Sequence, residues 1–462
     1  MDLRNYQKHS KQLILEHFRK GIKRVVLCLP TGAGKTIVFS SICHDSITKA
    51  RRPLITTHRK ELAKQASKYT TAQVIMVETL YNLIKAGFNL NVYDLIIIDE
   101  AHIGNFTKIL HYYKGYVIGA TATPNNAMRA LYDEIVCPIS ISELIKQQYL
   151  AKPITYLKTG ADITSLVKRS GEYTPESLNN VYNKPNVYND MVNDYVNNFT
   201  NTKAIVFNCS IAHSKSVHTE FLARGVNSYH IDSKMPTTKR DEIVLQFENS
   251  TNGVLNNCGI ATTGFDVPDI AVVIVNRATD SLALWLQMCG RGSRVCAGKT
   301  SFKILDYGQN ITRFGHWEAG RNWSEIFHKK ARDKKEQPHP IKECKQCEAV
   351  NYASTKVCFN CGYQFKAHEI EYSSGELKII EYNIIINDFT GVKVSMLSAD
   401  NLLRVASVKG WKQTYVEAIL YSFNIVGLYQ FWDNKGYKSM YKNRRLDTFI
   451  GRNKINDFII KF

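Results

Sequence analysis

The sequence predicts an α/β protein of two tandem units, each a parallel sheet flanked by helices, followed by a metal-binding cysteine cluster and a small C-terminal domain. Three observations carry that expectation. Short unbroken apolar runs recur through residues 24–120 and again through 203–305, separated by amphipathic or polar segments. Runs of this length and continuity suit parallel strands covered on both faces, and alternation of such strands with helices builds α/β sheets. Late in the chain, after this pattern stops, two Cys-x2-Cys pairs stand close together.

The first unit is expected over residues 1–150, with strands at "RVVLCL", "PLITT", "QVIMV", "LIIID" and "YVIGA". Residues 151–195 include "ADITSLVKRSGEYTPESLNNVYNKPNVYND", polar and rich in Asn and Tyr, and are expected to form a linker or small insertion. The second unit follows over 196–312, with strands at "KAIVF", "SYHI", "VLNNC", "AVVIV" and "FKIL". A basic connector is expected over 313–340, the cysteine cluster over 341–366 and a C-terminal domain over 367–462.

Composition limits the function. The chain has 462 residues, too many for one ordinary core. Its formal charge of +19, from 60 basic and 41 acidic residues, suggests a polyanionic partner, since each neutralised phosphate releases a counterion. No apolar run approaches the ~20 residues that span a bilayer, and "MDLRNYQKHSKQ" lacks the apolar core of a signal peptide. A soluble, intracellular protein with no membrane partner is expected. Of the 11 cysteines, the seven outside the cluster are scattered, as reduced core thiols are.

"LCLPTGAGKT" follows the first strand and precedes a helical pattern. Gly32 and Gly34 let the backbone around Thr31 and Ala33 curl, so that successive N–H groups face phosphate oxygens. Lys35 then reaches the β- and γ-phosphates, and Thr36 offers its hydroxyl to Mg²⁺. The strict phosphate-loop pattern has glycine where Leu29 stands. "DLIIIDEAH" supplies two acids: the apolar run Leu95–Ile98 stops at Asp99 and Glu100, at the carboxyl end of a strand, where parallel sheets bind ligands. Asp99 is expected to hold the Mg²⁺ and Glu100 to position the water attacking the γ-phosphate. Gln287, Arg291 and Arg294 in "QMCGRGSR" are spaced by four and three, which puts them on one helical face or at its end. Two guanidiniums brought across a cleft would neutralise charge on a phosphoryl group in transfer.

The phosphate loop, "DEAH" and "GATATP" (119–124) resemble motifs of superfamily 2 helicases of the DExH branch, in which a phosphate loop with this P-T-G-x-G-K-T form is common. The resemblance covers about residues 3–312 and keeps the motif order. It implies two RecA-like motor domains, ATP and Mg²⁺ as cofactors, and further roles. In "LRNYQ", Gln7 would read the adenine edge, with Arg4 or Tyr6 stacking on the base. "TTHRKELAKQ", "MVETL" and "IVFNCSIAHS" match nucleic-acid-contacting segments. "TTGFDVP" (262–268), with Gly264 and Asp266, matches the segment that senses nucleotide and strand together, and "QMCGRGSR" matches the arginine-finger motif. His102 would link the nucleotide site to the second domain, and "TAT" (121–123) would couple hydrolysis to movement; a lone His at a strand end is otherwise more often structural, and "TAT" by itself is also an ordinary Thr-rich turn.

"CKQCEAVNYASTKVCFNCG" gives two knuckles suited to tetrahedral Zn²⁺, with Cys344, Cys347, Cys358 and Cys361 as ligands. An iron–sulfur cluster is the rival, but "CFNCGYQF" resembles a zinc ribbon. Four thiolates leave no open position, so the metal is expected to be structural. The last 28 residues interleave Tyr437 and Tyr441 with eight Lys/Arg, which suits phosphate contact and base stacking as well as a solvated helix. The expected function is a monomeric ATP-dependent DNA helicase or branch-migration motor, similar to phage-encoded enzymes of this superfamily. It would act in replication, recombination or repair, in the cytoplasm and nucleoid of a host cell. An RNA helicase is the alternative, and a non-motor zinc-ribbon clamp on nucleic acid is the alternative of another class.

Overall fold

The computed structural model describes residues 3–329 apart from 59–62, 64–65, 68, 104–105, 159, 170, 261–264 and 266. Beyond 329 it describes 341–343, 346, 350–352, 363, 377–380 and scattered positions between 402 and 428.

In the first unit all five expected strands form: β1 (Arg24–Cys28), β2 (Pro53–Thr57), β3 (Gln73–Met76), β4 (Leu95–Asp99) and β5 (Tyr116–Thr121). A three-residue strand, β6 (Glu134–Val136), completes a wholly parallel sheet of order β3-β2-β4-β5-β1-β6. Successive strand residues point to opposite faces, so Val25, Leu27, Ile97 and Ile118 pack with helices α1 (Asn5–Arg19) and α2 (Lys35–Thr48). Val26, Ile96, Ile98 and Val117 pack on the other side with Leu80, Leu110 and Tyr132. Fully burying each such aliphatic side chain contributes about 1.5–3 kcal/mol, which is why both faces of the central strands β1, β4 and β5 read apolar.

The second sheet begins earlier than the sequence suggested. β7 (Lys152–Leu157) lies within the stretch expected to be a linker, yet it pairs in parallel with the strand at Ser301–Asp306. Next comes a two-residue hairpin, β8 (Lys168–Arg169) with β9 (Glu172–Tyr173), then β10 (Lys203–Asn208), β11 (Ser228–Ile231), β12 (Gly253–Asn257), β13 (Val272–Asn276) and β14 (Ser301–Asp306). The order is β11-β12-β10-β13-β14-β7-β17, where β17 (Lys378–Ile380) adds an antiparallel edge from the C-terminal region. Further on, β15 (Ile341–Glu343) and β16 (Val350–Tyr352) form a separate antiparallel pair.

Residues 151–195 belong to the second unit for a physical reason. Helix α3 (Pro185–Phe199) puts Met191, Val192, Tyr195 and Phe199 into the core beneath β10 and β13. At the end of β7 the buried Lys158 ammonium pairs with Asp190 and Asp194 of that helix, 2.8 Å from each. The Tyr307 hydroxyl after β14 donates to Asp194 at 2.7 Å. The hairpin is tied down as well: Glu172 accepts from the Thr279 hydroxyl and the Asp280 N–H, and Lys168 pairs with Asp280 at 2.8 Å.

The start of the expected basic connector also differs. Residues 315–329 return to the first unit, where helix α5 (Trp323–His328) seats a fully buried Phe327 in the cluster containing Val26, Met128 and Tyr132. The helix numbered α4 (Leu282–Cys289) lies between β13 and β14. Residues 330–340, the four cysteines of the cluster and the tail 435–462 lie outside the described residues. No described helix is long and apolar enough to cross a membrane.

Candidate nucleotide site

Strand order sets the spacing of the site. β5 separates β1 from β4, so with strands about 4.8 Å apart the phosphate loop and the acids stand roughly 10 Å from each other. Backbone bonds fix both ends to β5: Leu29 N–H donates to the Thr121 carbonyl and Ala101 N–H to the Ala120 carbonyl, each at 3.0 Å.

The loop curls as its glycines allow. Gly32 has φ +84° and Gly34 φ +76°, a left-handed conformation costly for any residue with a Cβ. Gly34 is the N-cap of α2, and this helix begins with no side-chain cap and no acid in its first turn. Its leading N–H groups and the positive end of its dipole are thus left to an anion. Lys35 lies back on its own loop, donating to the Leu29 carbonyl at 3.3 Å. Thr36 is half-buried beside it.

The residues expected to meet adenine converge on the same loop. Gln7, buried, accepts from the Arg4 N–H at 3.0 Å and donates to the Ala33 carbonyl at 3.2 Å. Tyr6 is also buried and donates to that carbonyl at 2.8 Å. The Arg4 guanidinium lies 4.3 Å from the ring centroid of Tyr149, which sequence reasoning missed. No spacing rule connects residues 4 and 149; only the fold does.

At the acidic end, Asp99 is buried and its Oδ1 accepts the Glu100 N–H at 3.0 Å. Burial, and next the neighbouring Glu100 charge, push the Asp99 carboxyl up to about 7 against the pull of Lys35. A cation at this position would reverse that cost, so the chemistry of the site fits Mg²⁺ held by Asp99 and Thr36. Glu100 has φ +52°, a left-handed conformation that strains a non-glycine residue by about 1–3 kcal/mol and recurs at functional sites. Its Oε2 has no hydrogen-bond partner among the described residues and lies 3.4 Å from His102 Nδ1, longer than a good bond. That ring nitrogen sits closer to Thr121 Oγ1, at 2.9 Å, and Thr121 Oγ1 accepts the Thr123 N–H at 3.0 Å. Burial lowers the His102 pKa. His102 therefore stands between Glu100 and "TAT".

The second unit closes the site. Helix α4 ends at Cys289, with Gly290 as its cap, so Arg291 and Arg294 sit on the turn beyond the helix while the buried Gln287 stays within it. Both guanidiniums donate to the Phe265 carbonyl, at 2.5 Å and 3.1 Å. Gly264 and Asp266, on either side of that residue, lie outside the described residues, as does much of "TTHRKELAKQ". The turn rests on the phosphate loop: a Cβ on Gly290 would stand 2.9 Å from Thr31 Cβ, and one on Gly32 3.3 Å from Ser293 Oγ. A cleft of about 1500 Å³ lies elsewhere, along residues 160–187.

Comparison with known proteins agrees with this geometry. Residues 1–72 match the family described as the res subunit of type III restriction enzymes, and residues 187–296 match the helicase conserved C-terminal domain. A 51.5 kDa protein of a Lactococcus phage is 33% identical over 371 residues, covering 76% of this chain and 81% of that protein. IRC3 of Saccharomyces cerevisiae, whose name makes it provisionally an ATP-dependent helicase, is 29% identical over 66% of this chain and 51% of its own length. The type I restriction enzyme EcoKI endonuclease subunit of Escherichia coli is 22% identical over 66% of this chain, and the chain spans only 34% of it. Among solved structures, the ATP-dependent type ISP restriction-modification enzyme LlaBIII bound to DNA shares the fold, with a TM-score of 0.52 and 16% identity. That match covers 68% of this chain and 29% of LlaBIII.

Proposed function

The chain belongs to the superfamily 2 ATP-dependent helicases, and on that premise we propose that it is a DNA motor that unwinds forked or branched DNA and drives branch migration. The observation that carries a motor over a passive clamp is the contact of Gly290 with Thr31: the arginine-bearing turn of one unit is seated on the phosphate loop of the other. A clamp has no use for that arrangement. DNA is favoured over RNA because the restriction-enzyme relatives act on DNA.

In this reading Lys35 and the N–H groups leading α2 hold the phosphates, and Gln7, with Arg4 stacked on Tyr149, receives the base. Thr36 and Asp99 would hold Mg²⁺, which when bound neutralises the β- and γ-oxygens. Glu100, held at its strained φ, orients the attacking water. Arg291 and Arg294 meet charge developing on the phosphoryl group, and Gln287 supports them from the last turn of α4. Gly264 and Asp266 sense nucleotide and strand together. His102 and Thr121 transmit the state of the acids, and release of the closed contact after hydrolysis advances one unit along the strand.

Strand separation is assigned to the region after 330: a zinc ribbon held by Cys344, Cys347, Cys358 and Cys361, and the basic tail. The polar insertion at 161–190, which contains the β8–β9 hairpin, is the rival wedge. The test is ATP hydrolysis by the intact protein with single-stranded DNA, single-stranded RNA, forked DNA and four-way junctions. Stimulation by DNA, with unwinding of forks and migration of junctions, is the expected result. Stimulation by RNA alone refutes the DNA assignment, and no hydrolysis with any of the four leaves the clamp.

A further inference from the structure

The segment following β14 is built as a link between the motor units. The Trp317 indole, almost wholly buried, donates its N–H to the Leu286 carbonyl at 3.1 Å and packs edge-on against Phe302 of β14 at 5.7 Å. The Leu286 carbonyl is also the acceptor for the Gly290 N–H, at 3.0 Å. One indole therefore grips the last turn of α4, from which Gly290 and the arginine turn project. Ten residues further on, Phe327 is buried in the core of the first unit, Arg129 donates to the His328 carbonyl at 3.0 Å, and His328 lies 3.7 Å from Glu134. Between these anchors the chain is not slack. The Arg321 guanidinium donates to four carbonyls, those of Phe314, His316, Trp317 and Ala319, at 2.9–3.1 Å. Fully extended, ten residues would span about 35 Å; caged in this way they hold the anchors close. A cavity of about 280 Å³ lies under the segment, between Thr31 and Ala122 on one side and Leu286 and Trp317 on the other.

We propose that residues 315–328 form a strap that holds the arginine turn in register with the phosphate loop, making Trp317 and Phe327 positioning residues for ATP hydrolysis. The proposal rests on the helicase reading of the site. Trp317 faces Pro30 and Thr31 only across that cavity, and its hydrogen bond goes to α4. The two residues act through α4: when the units close, the strap lets Gly290 meet Thr31 in one register only, and a loosened strap lets the arginines arrive misplaced. A nucleotide bound by the first unit alone would not feel the difference, so the effect falls on turnover and spares binding.

The test uses the full-length protein. Trp317→Phe keeps the ring against Phe302 and deletes the donor; Phe327→Leu keeps an apolar plug but shortens it. Each is expected to lower the kcat of DNA-stimulated ATP hydrolysis at least fivefold while KM for ATP stays within twofold. Spin labels introduced as unnatural amino acids at Leu83 and Leu222, exposed on the first and second units, report closure directly. With a non-hydrolysable ATP analogue the wild type should give one narrow distance and both variants a broad one. Wild-type kcat together with a narrow distance overturns the strap, as does a raised KM with unchanged kcat. If Phe327→Leu fails to fold, the Trp317→Phe arm decides alone. If the wild type itself hydrolyses no ATP, the helicase reading fails, and the label distances still decide the strap.

Discussion

Substituting Gly290 by alanine separates the motor cycle from the stability of its parts. Gly290 has φ −61° and ψ −12°, a right-handed conformation that alanine adopts freely, so the backbone does not require glycine. Local propensity even favours the change, since alanine extends a helix end better than glycine by up to about 1 kcal/mol. The obstacle lies across the cleft. The added methyl would stand 2.9 Å from both Cβ and Cγ2 of Thr31, closer than carbon atoms pack, with favourable contact beginning only near 3.5–4.0 Å. The Leu286 carbonyl, 3.0 Å away, belongs to the same helix and is present whether the units are open or closed. Overpacking of this kind costs about 1–3 kcal/mol. Charged to the closed state alone, that is roughly a 5- to 150-fold loss of turnover. The assay is ATP hydrolysis at saturating DNA and ATP, beside a thermal melt of the same preparation. Turnover should fall within that range while the melting temperature holds or rises. Wild-type turnover would refute the claim that hydrolysis requires this contact, and a lowered melting temperature would place the damage inside the second unit.

Other perturbations address single groups. Lys35→Ala should abolish nucleotide binding, whereas Glu100→Gln should bind ATP and lose ~10²–10³ in rate; near-normal hydrolysis by Glu100→Gln would remove Glu100 from its role. Arg291→Ala and Arg294→Ala should keep DNA binding and lose hydrolysis, and weak binding with normal hydrolysis would put them on the strand instead. Asp99 has a folded pKa near 7, above its ordinary 3.8, so the folded protein binds the extra proton. The stability this group contributes is greatest at low pH, falls as pH rises from about 4 to about 7 and is level above that. In the absence of metal, Asp99→Asn should therefore gain stability relative to the wild type as pH is raised through that window; melts showing the opposite trend would contradict its burial. A chain ending after Lys329 should keep DNA-stimulated hydrolysis and lose fork unwinding, while one ending at Gln309 should lose both because the strap goes with it. Metal analysis of the intact protein should find one zinc per chain, and bound iron or no metal would overturn the ribbon.

The parts of this molecule legible in its sequence are those whose chemistry is local. Gly32 to Thr36 are contiguous, Asp99 and Glu100 are adjacent, and each strand buried on both faces announces itself by an unbroken apolar run. β7 did not, because "KPITYL" mixes proline and threonine into a strand only half covered, and β6 is too short to have a pattern. The pairing of Arg4 with Tyr149, of Thr31 with Gly290 and of Trp317 with Leu286 arises from chain segments that meet only after folding. No periodicity marks such meetings. The strain at Glu100 was equally invisible, since nothing in "DEAH" specifies a positive φ.

Phe327 has a consequence for the order of events as the chain is made. It fills a core cluster whose other residues precede position 150, yet every strand of the second sheet except β17 is encoded between them. At ~5–20 residues per second, a ribosome needs roughly 10 to 35 s to travel from one to the other. During that interval the first unit must persist with an open socket lined by Met128 and Tyr132, side chains that are almost fully buried once the chain is complete. The stretch from β7 to β14 must then fold as an excursion from the first unit, with the chain on both sides of it held by the same partner. Nascent-chain proteolysis should accordingly find the first unit cleavable until translation has carried residue 327 clear of the exit tunnel, and protected soon afterwards.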